Sequence, residues 1–184
     1  MLELLPLILK RRTTYEFGDK RVSEACLKKI VEAGRWAPST LNLQPWSFII
    51  IKNKRTIDEL MRICYYGYFH YNPTVLIAIV SEPIDSEKRG ATGGKMADFF
   101  AVYKPMSLGL PAFSMTLEAE SIGVGSCILS PEPKKANRIL NVPNGRQAVL
   151  LVGLGFERKG AFSQKRERKP SSKITFFEEY GATK

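Results

Sequence analysis

Residues 38–52 read PSTLNLQPWSFIIIK, and this stretch joins a constrained polar loop to a strand. Pro38 and Pro45 bracket the polar side chains, and proline stiffens a loop because it removes conformational freedom from the unfolded chain. Trp46 to Lys52 (WSFIIIK) is apolar and rich in β-branched residues, which is typical of a buried strand. The loop is therefore predicted to present polar groups at fixed geometry where the strand begins.

Two further apolar runs predict buried strands, at Thr74 to Val80 (TVLIAIV) and at Gln147 to Leu154 (QAVLLVGL). Five helices are predicted around them. The first three run from Leu2 to Arg12, from an N-cap at Ser23 to about Trp36, and from a Thr56/Glu59 capping box to about Cys64. The other two run from Lys95 to Ile122, with interruptions or kinks at Pro105, Gly109 and Pro111, and from Pro133 to Leu140. Gly123 and Gly125 are predicted to form a turn at a helix end. Strands interleaved with helices indicate a layered α/β or α+β fold.

Composition indicates an ordinary globular protein. The chain has 184 residues, of which 44% are hydrophobic and 25% are charged. No apolar run approaches the ~20 residues that span a bilayer, and Met1 to Lys10 carries Glu3 and no cleavage site of small residues. No repeat or low-complexity linker divides the sequence. We expect a single domain over residues 1–184, cytoplasmic and without membrane association.

The cysteines and the histidine do not form a metal-binding pattern. Cys26, Cys64 and Cys127 are far apart in the sequence, so we predict buried structural thiols. His70 stands alone within the aromatic run Tyr65 to Tyr71. This run is predicted either to wall a pocket and stack on planar molecules or to pack in a core or an interface.

Positive charge is concentrated near the C-terminus. Lysine and arginine number 28 against 18 acidic residues, a formal charge of +10. The segment from Arg158 to Lys173 holds seven basic residues offset only by Glu167, which predicts an anionic partner. It lacks the interleaved aromatics or recognition helix expected for nucleic acid. Gly90 to Lys95 (GATGGK) does not fit the phosphate-loop frame and is predicted to be a flexible surface loop.

Three polar segments are candidates for binding chemistry. Arg11-Arg12-Thr13-Thr14 ends the first predicted helix, where it either complements the helix dipole or binds a phosphate monoester. In the Pro38 loop, Asn42 and Gln44 offer donors and acceptors that match the imide and carbonyl edges of a heterocycle, although loop chemistry explains each residue singly. Arg166 to Pro170 (RERKP) is either a solvated tail or an anion-binding segment.

The order of these segments resembles the nitroreductase family. The resemblance rests on RRTTYEF, APSTLNLQPWSF, LEAESIGVGSCI, VGLG and RxRKP, and it covers essentially the whole chain. PSxxNxQPW is its most specific element. It implies an α+β fold with a central mixed β-sheet flanked by helices, in an intertwined homodimer with an exchanged C-terminal tail and FMN at the interface.

The resemblance also implies which residues bind FMN. They are Arg11, Arg12, Thr13 and Tyr15 in the first segment, Pro38, Ser39, Thr40, Asn42 and Gln44 in a loop from the other subunit, Leu129 and Ser130 near the flavin ring, and Arg166 and Arg168 at the phosphate. No side chain is predicted to act as a catalytic acid or base. Tyr15 departs from the family, which usually has a basic residue there, and the neutral side chain is expected to shift the flavin potential or the register of contacts. The chain is also short between Val80 and Met96, where the family often builds a substrate lid.

The implied function is ping-pong hydride transfer from NADH or NADPH, through FMN, to a nitroaromatic, a quinone or a similar small-molecule acceptor. Two alternatives stay open. One is the same fold with other flavin chemistry, namely dehalogenation, azoline oxidation or flavin fragmentation. The other is a basic protein without enzymatic activity that binds flavin or nucleic acid.

Overall fold

The computed structural model describes residues 4–67, 72–84 and 94–182. Its elements are α1 (Leu4–Lys10), α2 (Glu24–Arg35), β1 (Trp46–Ile51), α3 (Lys54–Arg62), β2 (Val75–Ser81), α4 (Gly94–Ser121), β3 (Gly125–Leu129), α5 (Pro133–Ile139) and β4 (Gln147–Gly155). None of the described helices is both long enough and apolar enough to cross a membrane.

The four strands form one sheet in the order β1-β2-β4-β3. Every neighbouring pair is antiparallel, with Trp46 opposite Ser81 at one end of the β1–β2 pair and Ile51 opposite Leu76 at the other. The mixed sheet that the resemblance implied is therefore wrong for the described strands, because neighbouring strands enter the sheet from opposite ends. Within the described part of the chain, parallel pairing is confined to one isolated bridge, between Thr13 and Ser126.

Strand β2 lies at the centre of the hydrophobic core and is buried along its whole length. Its side chains alternate between the two faces of the sheet, as the period of a strand requires. Val75, Ile77 and Ile79 pack with residues of α2 and α4, whereas Leu76, Ala78 and Val80 pack with residues of α3 and α5. The sheet is thus a middle layer covered by helices on both faces, as the sequence predicted.

Helices α2 and α3 each begin at a side-chain cap, and the cap of α3 is not the residue that was predicted. The Ser23 hydroxyl accepts a bond from the Cys26 amide at 3.3 Å, which confirms the predicted start of α2. At α3 the cap is Asn53, whose side chain accepts from the Thr56 amide at 3.1 Å. The predicted capping box at Thr56 and Glu59 is wrong, because the helix begins at Lys54 and places Thr56 within its first turn.

Helix α4 continues through both of its prolines. It runs for 28 residues from Gly94 to Ser121 with Pro105 and Pro111 inside, so the predicted interruption does not occur. Although proline removes a backbone hydrogen bond, packing of Leu108, Ala112 and Met115 in the core holds the helix together on both sides of Pro111. Strand β3, which follows α4 after a turn at Gly123 (φ 72°), was not predicted.

Two of the three cysteines are buried as predicted, and Cys26 is only half-buried. Burial raises the pKa of both Cys64 and Cys127 to about 12. Both thiols therefore stay protonated at neutral pH and behave as small apolar groups.

The cap at α3 can be tested by substitution. Asn53→Ala removes the acceptor for an otherwise unpaired amide, so the free energy of unfolding should fall by about 1 kcal/mol. Thr56→Ala, at the position where the sequence placed the cap, should change it by less than about 0.5 kcal/mol. Urea titrations of the two variants give both values, and equal losses would contradict the assignment of the cap.

Candidate functional site

The segment that follows α1 is fixed against the ends of β3 and β4. The Thr14 amide donates to the Ser126 carbonyl at 2.8 Å, and the Gly18 amide donates to the Phe156 carbonyl at 2.8 Å. Gly125 permits this close approach, because a Cβ atom there would lie 2.6 Å from Thr14 Oγ1. The arginines that precede Thr14 are consequently held at one edge of the sheet.

A cleft of about 310 Å³ lies between this segment and the basic segment near the C-terminus. The residues that line it belong to two short stretches separated by about 150 positions, and they are Arg11, Arg12, Thr13, Tyr15, Gln164, Lys165, Arg166, Glu167 and Arg168. The fold thus brings together two of the three segments that the sequence singled out.

The Arg166 side chain forms hydrogen bonds with backbone carbonyls at the end of α1. Its guanidinium donates to the Arg11 carbonyl at 2.5 Å and also to the Leu9 carbonyl. These carbonyls lie at the C-terminal end of α1, where backbone acceptors lack partners within the helix. The sequence predicted, as one alternative, that Arg11 and Arg12 complement the dipole at the end of the first helix. In the structure Arg166 makes this interaction, and it thereby attaches the C-terminal tail to α1.

Arg12 is neutralised by an acidic side chain. Its guanidinium forms an ion pair with Glu157 Oε2 at 2.5 Å and donates to Ser163 Oγ at 3.0 Å. The other carboxylate oxygen of Glu157 is buried without a hydrogen-bond partner in the part of the chain that the structure describes. Much of the positive charge of Arg12 is thus offset before any ligand is considered.

Tyr15 joins the same two segments through its side chain. Its hydroxyl donates to Gln164 Oε1 at 2.7 Å, and its ring meets Phe162 edge-on with 5.5 Å between the ring centroids. The residue therefore helps to hold the tail against the N-terminal segment, and it lines the cleft with a neutral group.

Arg11 lies in surroundings that are unfavourable for a cation. Its pKa is lowered by burial first and then by repulsion from Arg166 and Arg168, while Glu120 acts in the opposite direction. Its guanidinium has no hydrogen-bond or ion-pair partner among residues 4–67, 72–84 and 94–182. A partly desolvated cation repelled by its neighbours is stabilised by an anion, so the cleft is suited to a phosphate or a carboxylate.

The Pro38 loop does not line this cleft. Within the loop, Ser39 Oγ accepts from the Gln44 amide at 2.8 Å, and Gln44 Nε2 donates to Asn42 Oδ1 at 3.1 Å. The backbone of Thr40–Asn42 forms a short turn of 3-10 helix. Asn42 and Gln44 are exposed, so their remaining donors and acceptors face outward.

Leu129 and Ser130 also lie away from the cleft. Leu129 ends β3 with its side chain 3% exposed and packed in the core. Ser130 is exposed, and its carbonyl accepts from the Tyr65 amide at 3.1 Å. Tyr65 and Tyr66 are exposed, whereas His70 and the rest of the aromatic run, like Gly90 to Gly93, fall outside the described residues.

Sequence reasoning missed several residues that shape the cleft. Three of them line the cleft, namely Gln164, Lys165 and Glu167. The sequence analysis placed them in the basic segment without assigning them individually to a site. Glu157, the partner of Arg12, follows the last strand and gives no signal in the sequence. The pairing spans 145 positions and exists only in the folded chain.

Comparisons with known proteins agree on one family. The model of the nitroreductase family matches residues 8–156. A curated relative, the NADH dehydrogenase of Thermus thermophilus, is 26% identical over 182 residues, which covers 86% of this chain and 88% of the relative.

Two solved structures show the same fold. NfrA2 of B. megaterium gives a TM-score of 0.83 at 20% identity and covers 98% of this chain and 76% of that chain. A Desulfovibrio desulfuricans protein solved in complex with FMN gives a TM-score of 0.74 at 24% identity and covers 98% of this chain and 99% of that chain.

The electrostatics of the cleft predict that inorganic phosphate stabilises the protein more than chloride does at equal ionic strength. At a phosphate concentration about tenfold above its Kd, the gain in free energy of unfolding is about 1.4 kcal/mol. Arg11→Ala should abolish most of this gain, since it removes the unpaired guanidinium. Arg55→Ala is the control, because the Arg55 side chain is 89% exposed and pairs with Glu59 on α3. Thermal unfolding measures all three proteins, and an undiminished gain in Arg11→Ala would contradict the assignment.

Proposed function

This chain belongs to the nitroreductase family, and from that premise we propose that it is an FMN-dependent oxidoreductase. NADH or NADPH is the electron donor, and the acceptor binds after the oxidised donor has left, in a ping-pong cycle. The acceptor is a nitroaromatic, a quinone or a similar small molecule. All 184 residues are proposed to form one FMN-binding unit. The name of the Thermus relative supports the donor, and the FMN complex of the Desulfovibrio protein supports the cofactor.

The unpaired Arg11 guanidinium is the observation that carries the proposal. The FMN phosphate is a dianion at neutral pH, and Arg11 is a partly desolvated cation in need of one. Arg168, whose guanidinium bonds only its neighbour's carbonyl among the described residues, and the Thr13 hydroxyl complete a donor set of the kind that holds phosphate monoesters. The residues present therefore fit the group.

The size of the cleft supports a site completed by a second chain. Ligand pockets commonly measure roughly 300–1,000 Å³, and this cleft of about 310 Å³ lies at the lower limit. It takes the phosphate end of the cofactor. The Pro38 loop, which lies elsewhere on the same chain, is proposed to reach the flavin ring of the partner's site, where Ser39, Asn42 and Gln44 pair with the edge of the heterocycle.

The side chains of this protein bind and orient, and none is proposed as a proton donor to the acceptor. When bound, FMN supplies the hydride chemistry. Arg166 keeps the tail closed over the cleft through the α1 carbonyls. Glu157 offsets the charge of Arg12 and fixes its position, and Tyr15 holds the tail through Gln164.

The surface of α4 supports a homodimer. Its inner face is buried in the core, yet an apolar row on its outer face is exposed, comprising Val102, Met106, Leu110 and Phe113. These residues recur every three or four positions and therefore form one continuous row. Because monomers rarely leave such a patch uncovered, a second copy of the chain is proposed to pack there. The ring of Tyr180 is 95% exposed, which supports exchange of the tail.

A single-turnover experiment tests the proposed chemistry. Purified protein should bind FMN, be reduced by NADH or NADPH without air, and be reoxidised on mixing with a nitroaromatic or a quinone. Reoxidation by a halophenol alone would favour dehalogenation instead. Failure to bind FMN at all would contradict the proposal. Arg168→Ala tests the contact with the phosphate. It should weaken the free energy of FMN binding by about 1.5–3 kcal/mol and leave the affinity for riboflavin, which lacks the phosphate, unchanged.

The dimer can be tested separately. Met106→Lys places a charge in the middle of the apolar row and should weaken association by about 2 kcal/mol or more per chain. Sedimentation equilibrium measures the change. Ile50→Lys is the control, because Ile50 is also exposed and apolar but lies on β1. Similar dissociation in both variants, or in neither, would refute α4 as the interface.

A further inference from the structure

The Pro38 loop carries a concentration of unusual backbone conformations. Leu41, Asn42 and Gln44 have φ angles of 51°, 53° and 48°, all in the left-handed region. Asparagine tolerates this region, but leucine and glutamine rarely adopt it. Such conformations persist only where surrounding contacts enforce them, and they concentrate at functional sites.

Bonds within the loop do not attach it to the rest of the fold. The contacts from Ser39 to Gln44 and from Gln44 to Asn42 close the loop on itself. In the described ranges, two residues outside the loop form hydrogen bonds with residues 39–44. The Trp46 amide at the start of β1 donates to the Gln44 carbonyl at 2.8 Å, and the side chain of Ser107 on α4 bonds Thr40. Ser107 Oγ accepts from the Thr40 amide at 3.2 Å and lies 3.2 Å from Thr40 Oγ1.

Ser107 is suited to this role because it is itself fixed. Its side chain is buried, with 2% of its surface exposed, on the inner face of α4. Its oxygen also lies 3.0 Å from the Tyr103 carbonyl, one turn earlier in the helix. The hydroxyl has one hydrogen and two acceptor lone pairs, so it accepts from the Thr40 amide and donates either to Tyr103 or to Thr40 Oγ1. In both arrangements the Thr40 backbone is anchored to the helix.

We propose that Ser107 is a positioning residue that holds the Pro38 loop in its left-handed form through Thr40, and so prepares the loop to bind the flavin ring. This inference rests on the proposed function for the ligand. Ser107 does not touch the cofactor in this scheme. It reduces the ordering that binding would otherwise require, which is how a rigid loop gains affinity.

The decisive variant is Ser107→Ala. We expect the Kd for FMN and the Kd for riboflavin to rise together by about tenfold, because the loop is assigned to the ring and not to the phosphate. Hydrogen exchange in the peptide spanning residues 37–46 should become faster in the protein without flavin. Sedimentation should show an unchanged dimer, because Ser107 faces inward.

Thr116→Val is the matched control. Thr116 is on the same helix and fully buried, and among the described residues its hydroxyl bonds only the Phe113 carbonyl, at 2.8 Å. The Thr116→Val substitution removes a hydroxyl-to-carbonyl bond within the helix and does not affect the Pro38 loop. Flavin affinity and hydrogen exchange in the loop should therefore stay at wild-type values. Loss of affinity in this control equal to that in Ser107→Ala would overturn the inference.

A rescue variant separates positioning from general damage. Leu41→Asn places a residue that tolerates a left-handed φ at an exposed position of the loop. In the Ser107→Ala background, Leu41→Asn should recover part of the lost flavin affinity. The same substitution in the wild type is measured for comparison. Absence of any recovery, with exchange of the loop also unchanged, would overturn the inference.

The remaining outcomes are also informative. If wild-type protein binds no flavin, the proposed function fails, and loop exchange alone still tests Ser107. If flavin binds and Ser107→Ala matches wild type in both affinity and exchange, only the role of Ser107 fails. Should Ser107→Ala not fold, Thr40→Pro removes the amide donor from the loop side and carries the same expectations for affinity. Proline fits there because Ser39 before it is extended.

Discussion

Burial of β2 on both faces is the constraint on which the rest of the structure depends. A strand with no exposed side chain requires a partner strand at each edge and a helical layer on each face. This arrangement fixes the neighbouring strand β4, whose far end meets the N-terminal segment at the Phe17–Glu157 bridge. The cleft forms at that edge because the segment can approach only where Gly125 and Gly155 lack side chains. The position of the candidate site is thus a consequence of packing in the core.

Within the cleft, similar arginines have different roles because their charges are compensated differently. Arg12 is matched by a carboxylate, and Arg166 is matched by the carbonyl ends of a helix. Arg11 has neither kind of partner in the part of the chain that the structure describes, and it is repelled by Arg166 and Arg168. A positive charge left uncompensated in a partly buried place favours binding of an anion. The distribution of partners, and not the number of arginines, therefore makes this cleft suited to binding an anion.

The sequence predicted the elements whose signals are local. The runs that became β1, β2 and β4 are long and apolar, and Ser23 capped α2 as expected. Strand β3 was missed because GSCIL is short and begins two residues after the helix-ending Gly123. Of the interruptions or kinks predicted in α4, an interruption did not occur, because core packing outweighs the local effect of proline. The differing roles of the arginines could not be predicted, because the partner of Arg12 is 145 positions away.

Helix α4 connects the core, the outer apolar row and the Pro38 loop. Successive residues face different environments, since Met106 is exposed in the row, Ser107 is buried against the loop and Leu108 packs in the core. Association of two chains through the row would immobilise the helix from outside, while the core immobilises it from inside. A loop anchored to such a helix keeps its strained conformation without a ligand. The polar edge of the loop would then be ordered before a flavin arrives, so little of the binding free energy would be lost to ordering it.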